Sequence, residues 1–151
     1  MNILLIYETQ TGTTQYVAEV IQDQLIAAGH QCRIHSVKYD GMQPSLEGVE
    51  LVIFGAPTYD DGKLEKNMLE FTQQYQVDLS RLKVAVFGLG NRTYPQFCFA
   101  ADILVDWVKS RGGNPITMPL KVDGFPDHLT KITEYVQQVL TALATSAAPT
   151  V

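Results

Sequence analysis

Three short segments of the chain are almost continuously apolar, and stretches with a different hydrophobic pattern separate them. The apolar segments are residues 3–6, 51–54 and 84–87. This composition is typical of a strand that is buried on both faces of a parallel sheet, because neither face contacts water. We therefore predict that these three segments form the central strands of such a sheet.

Two further segments have the pattern of edge strands. Residues 32–37 alternate between apolar and polar side chains, with Arg33 and His35 at polar positions. Residues 116–122 contain Pro119, whose nitrogen carries no hydrogen to donate to a neighbouring strand. Both features are tolerated at the edge of a sheet, so we place these two segments at its edges.

Between the strands, apolar residues recur every three or four positions, which is the spacing of one helix face. The pattern predicts helices over residues 16–28, 64–75, 97–111 and 129–143, whereas residues 44–48 are too short to assign. Strands that alternate with helices fold into a parallel sheet with helices on both faces. We predict an α/β doubly wound sheet of five strands. Its order, 2-1-3-4-5, is taken from a common fold of this class, which the apolarity of the strands matches.

Composition and charge restrict the function. With 151 residues, 46% of them hydrophobic and 18% charged, the chain has the profile of one globular domain. We assign residues 1–145 to this domain and residues 146–151, rich in Ala, Thr and Pro, to a flexible tail. A net charge of -5 disfavours nucleic acid and anionic membranes as partners and permits a basic protein partner. No signal-peptide pattern or bilayer-spanning apolar run is present, so we expect a cytoplasmic protein.

The cysteines and histidines lack the spacing of a metal site or a redox pair. Cys32 and Cys98 lie far apart, and His30, His35 and His128 show no ligand spacing. We expect buried free thiols and surface or structural histidines. The sequence also shows no nucleophile or catalytic triad, which argues against an enzyme with a substrate of its own.

The loop after the first strand is rich in threonine and leads directly into a helix. In a sheet of this order, ligands bind beyond the carboxyl ends of the strands, near the reversal between the first and third strands. Backbone N–H groups at a helix start, together with hydroxyl groups, can hold a phosphate without a cation. An ordinary threonine-rich helix cap is the alternative. The residues of this loop are Thr9, Gln10, Thr11, Gly12, Thr13 and Thr14.

The loops after the next two central strands each contain glycines and one tyrosine. Two tyrosines that face a phosphate loop would hold a flat ligand between aromatic rings, while glycine-rich backbone approaches its polar edges. Taken singly, Tyr59 and Tyr94 could equally be loop aromatics that cover the core. The candidate residues are Pro57, Thr58, Tyr59, Asp60, Asp61 and Gly62 in one loop, and Gly88, Leu89, Gly90, Asn91, Tyr94, Phe97 and Cys98 in the other.

Together the three loops resemble those of the flavodoxins. Residues 9–14 resemble the FMN phosphate loop of that family, residues 57–62 its second flavin loop and residues 87–98 its third. The resemblance covers essentially the whole chain and is to the short-chain type; the third loop is also similar to FMN domains of diflavin reductases. It implies a flavodoxin-like fold and a low-potential one-electron carrier between redox proteins that uses non-covalently bound FMN.

The resemblance implies particular contacts with FMN. Residues 9–14 would bind the phosphate, and Tyr59 and Tyr94 would flank the isoalloxazine ring. The backbone around Asn91 and Cys98 would meet the pyrimidine edge of that ring. Because the phosphate loop contains no Lys or Arg, the phosphate charge stays uncompensated, which disfavours a further negative charge on the flavin.

The resemblance also implies redox protein partners, namely a reductase as electron donor and an acceptor enzyme. We expect them to dock near the flavin of a monomeric carrier, steered by Asp60, Asp61 and Glu65. Asp60 stands where some short-chain flavodoxins have glycine. At this position we expect it to stabilise the one-electron-reduced flavin less well than an Asp60→Gly variant would.

Two other functional classes share parts of this pattern. A response-regulator receiver needs an acidic pair after the first strand and an aspartate after the third, where this chain has Glu8 alone and Gly55-Ala56. A flavin-dependent NAD(P)H reductase is the more credible alternative, although the chain has no separate nicotinamide-binding fingerprint. Rapid NADPH oxidation by the isolated protein would favour the reductase. A cofactor-free interaction module also stays open.

Overall fold

A computed structural model describes residues 1–9, 12–58, 64–90, 99–123 and 129–147 of the chain. The described strands form one five-stranded sheet of the order 2-1-3-4-5, and every neighbouring pair is parallel. The predicted topology is therefore confirmed. The strands are β1 (Asn2–Tyr7), β2 (Gln31–Ser36), β3 (Leu51–Pro57), β4 (Lys83–Gly90) and β5 (Leu120–Asp123).

Helices cover both faces of the sheet, as predicted for a doubly wound fold. Two of them share one hydrophobic cluster with the sheet: α1 (Thr13–Ala27) and α5 (Leu129–Ala147). The other three pack on the opposite face: α2 (Val37–Asp40), α3 (Lys66–Gln74) and α4 (Phe99–Ser110). β1, β3 and β4 are the buried central strands, because side chains on both of their faces belong to these clusters.

Short-range capping decides two helix boundaries that the hydrophobic pattern does not predict. The segment predicted as strand to residue 37 turns into α2 at Val37, where the Ser36 hydroxyl accepts the N–H of Tyr39 at 3.3 Å. The helix predicted from residue 64 begins at Lys66, because the Glu65 carboxylate caps its first turn. Leu64 instead forms an isolated antiparallel bridge with Thr58.

Other differences lie at the chain's later elements. β5 begins at Leu120, after Pro119, so the predicted strand over residues 116–122 is too long at its start. The predicted helix of residues 129–143 continues to Ala147, which makes residues 146 and 147 of the predicted tail helical. Leu129 begins α5 but is 52% exposed, and packing against the sheet starts one turn later at Ile132.

The Cys32 thiol and the His35 imidazole have structural surroundings. Cys32 is a buried free cysteine, as expected, and burial raises the pKa of its thiol to about 11. The His35 Nε2 atom lies 2.6 Å from the carbonyl oxygen of Gly41. The described residues contain no cluster of metal-binding side chains, and none of the described helices combines the length and apolarity that crossing a membrane requires. Cys98 and His128 lie outside the described residues.

Candidate functional site

The predicted loops leave the sheet at one edge, beyond the carboxyl ends of adjacent strands. Tyr7 of β1 pairs with Gly55 of β3, and Pro57 of β3 pairs with Leu89 of β4. Hydrogen bonds continue past these pairs, since the Thr58 N–H donates to the carbonyl oxygen of Leu89 at 2.8 Å. The starts of all three loops are thus brought side by side.

The first loop is shaped by a left-handed glycine at the start of α1. Gly12 has φ +91°, and its N–H donates to the Thr9 Oγ1 atom at 2.8 Å. No atom lies within 4 Å of a Cβ built at Gly12, so the requirement for glycine is conformational. Gln10 and Thr11 lie outside the described residues.

The start of α1 suits an anion. Gly12 occupies the N-cap position and has no side chain with which to cap the helix, whereas Ser36 and Glu65 cap α2 and α3 with their side chains. The first turn of α1 contains no acidic residue, and Thr13 and Thr14 place two hydroxyl-bearing residues there. Backbone N–H groups and hydroxyls are the neutral donors that a phosphate requires, so the residues present fit the phosphate of FMN.

A buried carboxylate lies directly beneath this loop. Glu8 is 1% exposed, and its Oε1 atom accepts the N–H of Thr9 at 2.8 Å. Its Oε2 atom is buried without a hydrogen-bond partner. Burial raises the pKa of Glu8, and the nearby Glu65 carboxylate raises it further. The N–H groups of Thr9 and Lys38 and the Asn67 side chain act in the opposite direction. The only sequence signal for Glu8 is a lone acid between a buried strand and a polar loop.

Thr58 connects the second loop with the helix that follows the third. Its Oγ1 atom accepts the N–H of Ala100, in the first turn of α4, at 2.9 Å. The bridge between Thr58 and Leu64 brings the two ends of the loop together. A direct contact of Pro57 or Thr58 with the cofactor stays a prediction, and Tyr59, Asp60, Asp61 and Gly62 lie outside the described residues.

Two residues predicted to bind the cofactor belong to the interior of the fold. Gly88 faces α4, where a Cβ would lie 2.7 Å from the Ala101 nitrogen and 2.8 Å from the Ala101 Cβ. The Leu89 side chain is 3% exposed and lies in the core cluster beneath α1 and α5. The predicted strand of residues 84–87 is too short, because β4 continues to Gly90 and these two residues are strand residues and not loop residues. A backbone contact of Gly88 or Leu89 with the cofactor stays a prediction. Asn91, Tyr94, Phe97 and Cys98 lie outside the described residues.

Glu65 cannot serve as a docking charge for a partner. It is 4% exposed, and its two carboxylate oxygens accept the N–H groups of Asn67 and Met68, each at 2.9 Å. The predicted docking role is therefore wrong for this residue. Sequence position near the second loop suggested a surface charge, but the carboxylate turns inward to cap α3.

Comparisons with known proteins agree with the geometry. A family model described as flavodoxin matches residues 5–135. The chain is 29% identical to a flavodoxin of Nitratidesulfovibrio vulgaris strain Miyazaki F, over 94% of this chain and 99% of that protein. The crystal structure of oxidised flavodoxin 2 from Bacillus cereus superposes with a TM-score of 0.83 at 26% identity, covering 93% of this chain and 99% of that one.

A partial similarity to a larger enzyme also exists. The chain is 35% identical to human NADPH–cytochrome P450 reductase over 64% of this chain, but the match covers 15% of the reductase. The expected likeness to a domain of such reductases is confirmed to this extent. Because the matched part is a small fraction of that enzyme, the similarity concerns a domain and not the enzyme's overall reaction.

Proposed function

This chain belongs to the flavodoxin family of FMN-based electron carriers, and we propose that it holds the FMN phosphate in the loop of residues 9–14. The observation that carries the proposal is the left-handed Gly12 at the start of α1, with its N–H on the Thr9 hydroxyl. This conformation leads the chain into the first turn of a fifteen-residue helix, at which Gly12 has no side chain to act as a cap. The N–H groups of such a turn attract an anion.

The cofactor and the protein contribute different chemistry. Bound FMN accepts and releases single electrons, which the side chains of this chain cannot do. The chain contributes binding and electrostatics. Neutral donors in residues 9–14 leave the phosphate charge uncompensated, and the overall charge of -5 adds to the negative potential. Both effects disfavour a further electron on the flavin and support a low reduction potential.

We propose that the flavin ring lies between the second and third loops. Tyr59 and Tyr94 would flank it, and the backbone around Asn91 and Cys98 would meet its polar edge. Support comes from the described ends of these loops, since Pro57 and Leu89 are paired neighbours in the sheet. Gly90 ends β4 at the same edge, so the third loop starts next to the second.

Flavodoxins act with redox partners, and we propose a reductase as donor and an acceptor enzyme for this one. Because Glu65 is buried, we propose only Asp60 and Asp61 as the acidic residues that steer a partner. They would attract basic partners in a salt-dependent manner. We further propose a monomeric, cytoplasmic carrier without a substrate of its own. Its single domain includes residues 1–145 and the remainder of α5.

Replacing Gly12 with alanine should weaken FMN binding about 5- to 30-fold, which corresponds to the roughly 1–2 kcal/mol that a left-handed conformation costs a residue with a Cβ. Without FMN, the variant loop can relax to another conformation. Binding must then restore the left-handed one at this cost. Quenching of flavin fluorescence on titration of the apoprotein measures the dissociation constant.

Gly29→Ala is the matched control for this prediction. Gly29 has φ +95°, no atom lies within 4 Å of a Cβ built on it, and it follows the other end of α1. It should lose some stability but keep the wild-type affinity for FMN. If both variants bind FMN as the wild type does, the conformation of Gly12 does not organise the phosphate loop.

A further inference from the structure

We propose that Glu8 is a positioning residue of the phosphate loop and that its carboxyl group takes up a proton when FMN binds. The proposal rests on the proposed function, since it places the FMN phosphate in residues 9–14. Among the described residues of the site, Glu8 is a buried acid that does not cap a helix. Its Oε2 atom has no hydrogen-bond partner. The proposal gives this carboxyl group a role.

Hydrogen bonds connect Glu8 to the loop in two steps. Its Oε1 atom accepts the Thr9 N–H at 2.8 Å, and the Thr9 Oγ1 atom accepts the Gly12 N–H at 2.8 Å. The Glu8 N–H donates to the carbonyl oxygen of Gly55, which anchors the residue to β3. Through these two hydrogen bonds, a movement of the Glu8 carboxyl group would shift Thr9 and then Gly12, the left-handed residue at the start of α1.

The helix α3 places a like charge near Glu8. On α3, the Glu65 carboxylate raises the pKa of Glu8, while the Asn67 side chain lowers it. The side chain of Lys66, on the same helix, is exposed. The Oε2 atom of Glu8 has no partner, although it is buried. α3 therefore places one like charge and one amide side chain near the Glu8 carboxyl group.

The helix α2 also lies near Glu8, and it acts on the carboxylate through a backbone N–H group. Lys38 on α2 lowers the pKa through its N–H, while its ammonium group lies 5.3 Å from the ring centroid of Tyr39. The Asp40 Oδ2 atom accepts the Ser36 N–H at 2.8 Å, and its side chain is exposed. Tyr7, the preceding residue, packs on the opposite face of the sheet.

A bound phosphate and an ionised Glu8 disfavour each other, because both are negative and the carboxylate is buried away from water. Linkage is reciprocal, so FMN binding raises the pKa of Glu8, and ionisation of Glu8 weakens FMN binding. The pKa of free Glu8 is already above the ordinary glutamate range because of burial. Glu8 therefore has a lower pKa in the FMN-free protein than in the complex. Between these two pKa values, FMN affinity should fall as pH rises, by up to about tenfold per pH unit.

The experiment measures how the affinity for FMN depends on pH in the wild type and in the Glu8→Gln and Glu65→Gln variants. Each apoprotein is titrated with FMN from about pH 5 to about pH 9. The second ionisation of the FMN phosphate, near pH 6, falls in this range and affects all three proteins alike. The glutamine in Glu8→Gln can still accept the Thr9 N–H through its amide oxygen. This variant keeps the hydrogen bond but loses the titrating group.

We expect the wild-type affinity to decline at alkaline pH, and the Glu8→Gln affinity to show no such decline and to exceed that of the wild type there. Glu65→Gln, which removes the like charge, should keep the decline and move it to lower pH. Parallel profiles for the wild type and Glu8→Gln would overturn the inference while leaving the proposed function intact. A wild type that binds no FMN at any pH would instead overturn the proposed function.

A second measurement needs no variant. The infrared difference spectrum between the FMN-bound and FMN-free wild type, recorded within the pH range of the decline, should show a new carbonyl band of a protonated carboxyl group. Loading with FMN labelled with ¹³C at its carbonyl groups separates this band from those of the flavin. If the complex gains no protonated carboxyl group, Glu8 does not take up a proton and the inference fails.

Discussion

FMN should bind to the apoprotein about 150 to 25,000 times more tightly than riboflavin, because loss of the phosphate removes two or more charge-assisted hydrogen bonds of roughly 1.5–3 kcal/mol each. The donors expected at the start of α1 are backbone N–H groups and the hydroxyls of residues 9–14. Riboflavin has the same ring system, so ring contacts in the other two loops are the same for both ligands. The ratio of affinities therefore isolates the phosphate loop.

Fluorescence titrations of one apoprotein preparation with both flavins measure this ratio. The Gly12→Ala variant provides an internal control, since it should weaken FMN binding more than riboflavin binding and so reduce the ratio. Gly29→Ala should leave the ratio unchanged. Equal affinities of the wild type for FMN and riboflavin would show that residues 9–14 are an ordinary helix start and do not hold the phosphate.

Replacing Gly88 with alanine should lower the free energy of unfolding of the apoprotein by about 3 kcal/mol, at the upper end of the usual cost of overpacking. A Cβ at this position would lie 2.7 Å from the nitrogen of Ala101 and 3.1 Å from its Cα. Both are backbone atoms of α4, so the helix as a whole would have to move away from the sheet. This is a large part of the roughly 5–15 kcal/mol that stabilises a typical domain.

Urea unfolding followed by tryptophan fluorescence measures this loss. Trp107, the chain's single tryptophan, lies on α4 with its ring packed against Phe54 and Phe71. The double variant Gly88→Ala with Ala101→Gly removes the contact of 2.8 Å between the two Cβ atoms but not the backbone contacts, so it should recover only part of the stability. A Gly88→Ala variant no less stable than Gly29→Ala would contradict the close packing of β4 and α4.

The sheet topology could be predicted because the relevant signals are local. Continuous apolar runs identify central strands, and the alternation of strands with helical periodicity indicates a doubly wound fold. The first loop could be predicted for the same reason. Gly12 and its neighbouring threonines predict a loop that leads directly into a helix, and α1 begins at Thr13 with Gly12 at its N-cap position.

The errors concern residues whose surroundings come from distant parts of the chain. Glu65 looks like a surface charge in sequence, but the packing of α3 against the sheet buries it as a cap. Gly88 and Leu89 have loop-like neighbours, yet pairing with β3 and β5 extends the strand through them. The burial of Glu8 could not be predicted from its neighbours in sequence, because it depends on α2 and α3, which follow it by about thirty to sixty positions.

The visible absorption spectrum of the purified protein, followed by identification of the flavin that denaturation releases, shows directly whether this chain carries FMN. A carrier that holds FMN at residues 9–14 should be yellow and should release FMN, and not FAD or riboflavin, in an amount equimolar with the chain. A colourless protein that also fails to bind added FMN would contradict the account.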